Sequence, residues 1–179
     1  MRRIEVAELS LAILDALDVD ALAVMVGAER PLQGWAGLVD WRLAGALTRA
    51  IADGLYTAEP GEALLLPTMG RLSVPRLVAV GLSPAGGEAD FAAAAGRLCQ
   101  VVAKAGAASF ATAAMPVVGV PGPEAARAWL RAASAVSSDR LVLMGDSRAL
   151  SADLGAARFE ARSEIELAPF SANPAAMVP

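Results

Sequence analysis

The chain holds 179 residues, 56% of them hydrophobic, with a formal net charge of −4 and a mean hydropathy of +0.50. That length fits one domain and that apolar content argues against disorder, while the acidic balance and scattered arginines exclude a basic nucleic-acid footprint. The single cysteine, Cys99, excludes an intrachain disulfide, and the lack of any histidine excludes Ser-His-Asp and Cys-His catalysis and histidine-bearing zinc sites.

In chain order, Ile4 to Glu8 alternates apolar and polar, which predicts a half-buried strand. Glu5, Glu8, Asp15 and Asp18 interrupt the N-terminus, so no signal peptide is expected there. No apolar run approaches the ~20 residues of a membrane helix. A reducing, cytoplasmic setting is the expectation. Ser10 to Asp18 reads as a short helix or turn. Ala21 to Val26 is continuously apolar, the mark of a strand covered on both faces. A loop over Ala28 to Gly37 follows, then one helix from Leu38 to Ala52 with Leu43, Leu47, Ala50 and Ile51 on a shared face. Asp53-Gly54 stops it, and Glu59-Pro60-Gly61 is a turn.

Strands are expected at Ala63 to Leu66 and Leu77 to Leu82. Ser83 to Gly87 is a turn. The helix after it, Glu88 to Ala105, carries Phe91, Ala95, Leu98 and Val102 as one apolar stripe. Ser109 to Ala114 is a further strand. The turn Val117 to Pro123 precedes a helix from Glu124 to Val136, with Pro123 at a first-turn position. Leu141 to Met144 is a short strand closed by Gly145-Asp146. Phe159 to Leu167 alternates and reads as an edge strand or short extension. A single domain over 1–170 is expected, with 171–179 as a Pro/Ala tail. Short apolar strands alternating with helices predict an α/β fold built on a largely parallel sheet covered on both faces.

The segment Leu17 to Leu82 resembles the N-terminal domain of the leucyl (cytosol) aminopeptidase family, the M17 metallopeptidases. The residues that carry the likeness are LDVDALAVMV, then LVDWRLAGALTRAIADGLYTAEPGEALLLPT, with Gly54, Pro60-Gly61-Glu62 and Leu64-Leu65-Leu66-Pro67 at the family's turn and strand. RLVAVGL, Arg76 to Leu82, matches the strand after it, and the helix from Glu88 the helix after that. The resemblance implies a three-layer α/β/α sandwich with a mostly parallel mixed sheet, macro-domain-like. The family's peptidase chemistry sits in a separate C-terminal domain with two metal ions. Its signatures, GKG.TFDSGG and NTDAEGRL, do not occur in these 179 residues, so no catalytic or metal residue can be carried over. Macrodomains bind ADP-ribose with an asparagine-rich loop, whereas this chain has one asparagine, Asn173.

Candidate sites are few. Gly119 and Gly122 lie just before a helix N-terminus, where glycines let backbone N–H groups approach an anion. A plain strand-to-helix turn is the ordinary alternative, and Glu124 would itself occupy the positive end of the dipole. Ser83 to Asp90 reads the same way, as an anion loop or a capping turn. Asp146, with Ser147, closes a strand, the end at which open α/β sheets bind ligands, or serves as a turn aspartate. Asp15, Asp18 and Asp20 cluster, as a cation site or a solvated turn. Cys99 reads as a small packing residue. Trp35 is either a protein contact or a lid over the core.

The expected function is a non-catalytic, stand-alone domain without cofactor or metal, acting in protein interaction, oligomerisation or regulation. A protein partner or self-association fits, and nucleic acid and membrane do not. One alternative is a small-ligand (nucleotide or ADP-ribose-like) site at Gly119, Gly122 and Asp146. Another is an aminopeptidase by family inheritance only.

Overall fold

The computed structural model describes residues 1–82, 86–114 and 119–171. Within these residues seven strands, β1 (Arg3–Glu8), β2 (Ala21–Val26), β3 (Ala63–Pro67), β4 (Arg76–Gly81), β5 (Ser109–Ala113), β6 (Arg140–Gly145) and β7 (Glu166–Pro169), form one sheet in the order β3-β4-β2-β5-β6-β1-β7. All neighbours pair in parallel except β3 against β4. Among the described residues, six helices cover it: α1 (Leu11–Asp15), α2 (Gly34–Arg42), α3 (Ala46–Ala52), α4 (Glu88–Lys104), α5 (Gly122–Ser134) and α6 (Ser147–Ala161). The fold is a three-layer α/β/α sandwich, macrodomain-like, as the family resemblance implies.

The alternation of side chains along each strand divides the core in two. Ile4, Val6, Val78, Val80, Phe110, Leu141 and Leu143 face α4, α5 and α6. Leu22, Val24, Leu77, Ala111, Val142 and Met144 face α1 to α3. The central strands are apolar throughout because both of their faces are covered.

Three expectations need correction, and one open alternative is decided. β1 is not half-buried: Ile4 to Ala7 are all buried. Glu5 tolerates this because Arg3 and Arg140 reach its carboxylate at 3.1 and 2.8 Å. The helix expected from Leu38 to Ala52 is two helices, broken where Ala44 and Gly45 turn left-handed at φ 54° and 79°. The Asp40 carboxylate then accepts from the N–H groups of Leu47 and Thr48 at 2.8 and 3.2 Å, so a side chain of the first helix caps the second. Phe159 to Leu167 is not one strand. Residues 159–161 complete α6, a helix the sequence reading left out, and only β7 is extended. Trp35 is the core lid, 7% exposed, and its indole N–H meets the Ala23 carbonyl at 3.4 Å, whereas Trp41 is 69% exposed.

Residues 83–85 of the expected turn, 117–118 of the glycine turn and 172–179 of the tail lie outside the described residues. Among the described residues, no helix is long and apolar enough to cross a membrane.

Candidate functional site

β5, β6 and β1 are neighbours and point the same way, so their carboxyl ends lie side by side. β5 and β6 run into α5 and α6 on one face, while β1 runs into α1 on the other. Chains leaving adjacent strands toward opposite faces open a crevice at the strand ends. A cleft of about 390 Å³ lies here, walled by Val120, Gly122, Ala125 and Trp129 of the α5 side and by Asp146, Leu150 and Asp153 of α6 and its N-cap, with Glu8 at the end of β1.

The cleft unites two of the three residues singled out from the sequence. Gly122 and Asp146 both line it. Gly119, at φ 79°, sits three residues ahead in the approaching loop, and Val120 forms the wall instead. Glu8, Trp129 and Asp153 escaped the sequence reading. Asp153 stands two helical turns after Asp146, so recognising α6 would have placed both carboxylates on one face.

The local chemistry does not favour an anion. Asp146 accepts from the N–H groups of Arg148 and Ala149 at 3.1 and 3.0 Å, capping α6. Glu8 accepts from Ser147 N–H at 3.2 Å and from its hydroxyl at 2.8 Å. Two carboxylates therefore occupy the positive end of α6. At α5, Glu124 pairs with Arg127, and the Asp153 carboxylate closes over Gly122, where a Cβ would stand 2.4 Å from its Oδ2. Among the described residues, no arginine or lysine lines the cleft.

The remaining candidates resolve into structural roles. Asp15, Asp18 and Asp20 are drawn apart, to Arg42, Arg140 and Ser109. Among the described residues, no three acidic or cysteine side chains gather as a metal would require. Cys99 is fully buried, and burial pushes its thiol up to about 12, far from a reactive thiolate. Glu88 and Asp90 lie in the first turn of α4, at the positive end of its dipole.

The family described as the cytosol aminopeptidase family, N-terminal domain, matches residues 23–143. The Oceanobacillus iheyensis macrodomain, in a mutant form with ADPR, is similar at a TM-score of 0.67 and 15% identity, over 89% of this chain and 93% of that one. The Mycobacterium tuberculosis DarG macrodomain is similar at a TM-score of 0.65 and 16% identity, over 82% of this chain and 100% of its own. A mutant of tomato leucine aminopeptidase is similar at a TM-score of 0.63 and 15% identity, over 88% of this chain but 36% of its own length. No curated protein matches by sequence. At such identities the likeness to these structures is one of fold.

Proposed function

Because this chain belongs to the cytosol aminopeptidase family through its N-terminal domain, we propose that it acts without catalysis, as a docking domain that pairs with a second copy of itself along the open edge of its sheet. The observation that carries this reading is β3. It is the outermost strand, and Leu65 on it is 50% exposed. Bonds from Gly81 N–H to the Glu62 carbonyl and from Thr68 N–H to the Pro75 carbonyl set the phase of the β3–β4 ladder. Leu64 and Leu66 therefore bond inward, while Ala63, Leu65 and Pro67 turn their backbone groups outward.

An uncovered apolar edge is a template for another strand. Paired antiparallel about a two-fold axis, two such edges set Leu65 against its own copy, and Ala63 donates to the carbonyl of the opposite Pro67. The non-catalytic part is supported by where the reactive side chains are spent: Cys99 in the core, Glu5 on two arginines, Asp40 on a helix cap. Light scattering on the eluting protein should give a dimer, and Leu65→Lys a folded monomer. A strictly monomeric wild-type chain overturns the reading.

A second reading is small-ligand binding in the strand-end cleft, favoured by the convergence of Gly122 and Asp146 on one wall. The carboxylate rim weighs against ADP-ribose as that ligand. Metal-dependent hydrolysis of leucyl substrates by the purified chain would overturn the non-catalytic proposal.

A further inference from the structure

One buried polar group on a residue of the cleft wall has no partner among the described residues. Trp129 is 1% exposed, and its indole N–H has no acceptor among the described residues. A buried donor left unpaired costs ~1–3 kcal/mol, so such groups call for an explanation. The ring is fixed edge-on against Phe91, with centroids 5.9 Å apart at 85°. Helical side chains lean toward the N-terminus of their helix. From Trp129 that direction leads past Ala125 to Gly122, and all three line the cleft.

The mouth of the same cleft is acidic. Glu8 and Asp146 are partly neutralised by the first turn of α6, whereas Asp153 makes no hydrogen bond or ion pair to any described residue. Its carboxylate reaches the rim only because residue 122 has no side chain. Between rim and floor the wall is apolar, with Val120, Ala125 and Leu150.

We propose that this cleft binds a small organic cation: an ammonium group held by Asp153 and Asp146, an apolar stem along Val120 and Leu150, and an oxygen acceptor for the Trp129 N–H. This rests on the small-ligand reading and gives it a chemical class. A volume of about 390 Å³ suits a molecule of that size. The indole N–H is itself shielded from solvent, so its pairing with the ligand requires a local opening of the cleft floor.

The test uses N-acetylcadaverine, which carries an ammonium, a five-carbon stem and an amide oxygen. Its neutral counterpart N-pentylacetamide and the anionic ADP-ribose are the controls. Titration is followed by the three indole N–H resonances of the full chain, with Trp129→Phe assigning the relevant one. The expected result is a saturable shift of the Trp129 resonance by N-acetylcadaverine. Affinity should fall about tenfold or more in Asp153→Asn, in Gly122→Ala, whose Cβ displaces the carboxylate, and for the neutral counterpart. Both variants are checked for an unchanged thermal midpoint, and a shifted midpoint in one leaves the other to decide. Equal binding of the neutral compound, or indifference to Asp153→Asn, overturns the cation class and leaves the small-ligand reading standing. Binding of ADP-ribose instead does the same. No shift at millimolar concentration of any of the three compounds overturns both.

Discussion

At the scale of single residues, Asp20 is the clearest electrostatic device. Burial alone would raise its pKa, but bonds from the Ser109 N–H at 2.9 Å and hydroxyl at 3.1 Å, with the Ala108 N–H and the Arg76 charge, hold it below the usual carboxylate value. A folded-state pKa below the unfolded one means stability that is fully present above the unfolded value, about 4, and lost as pH falls through the folded one. Urea midpoints measured across that acid range should therefore fall in the wild type and fall less steeply in Asp20→Asn. Cys99 gives the second residue-scale expectation. With its thiol buried and pushed up to about 12, it should resist a thiol reagent at mildly alkaline pH and react once per chain in denaturant. The sequence read Asp15, Asp18 and Asp20 as neighbours and left their role open. Each has a different partner far along the chain, a fact that spacing cannot carry.

At the scale of elements, the strands were the most legible part. Ala21 to Val26 and Ala63 to Leu66 follow from apolar runs that only a covered sheet or its edge can use. The α2–α3 break was not legible, because Leu43, Leu47 and Ala50 are all buried and continue one apolar rhythm across it. What breaks the helix is Asp40, which caps α3 from within α2. Asp40→Ala should lower unfolding stability by about 2 kcal/mol, read by chemical denaturation, since buried donors lose their acceptor. α6 was missed for the opposite reason. Its buried stripe is thin, Leu154 and Ala157, and the alternation from Phe159 onward imitates a strand. At the start of β3, the chain at Ala58 and Glu59 presses so close to Gly81 that an added Cβ would lie 2.0 Å from the Glu59 carbonyl. Gly81→Ala should accordingly cost about 1–3 kcal/mol by the same assay, as overpacking does.

At the scale of the whole molecule, the sheet order puts β3 on an open edge and the ends of β5, β6 and β1 around a cleft. If two copies pair through β3, folding is linked to assembly, so the thermal midpoint should rise with protein concentration in the wild type and stay fixed in Leu65→Lys. By itself the sequence determined the α/β class and most strands, because hydrophobic periodicity and turn residues are local signals that each segment carries alone, and the resemblance of Leu17 to Leu82 added the family. It also placed Asp146 at a strand end, where α/β sheets bind, and Gly122 just before a helix N-terminus. Only the tertiary structure decided that they share a wall, that Asp153 and Trp129 join them, and that carboxylates rather than cations ring the opening. Those facts depend on strand order and helix approach, which are fixed by the packing of two cores against one sheet and not by any segment alone.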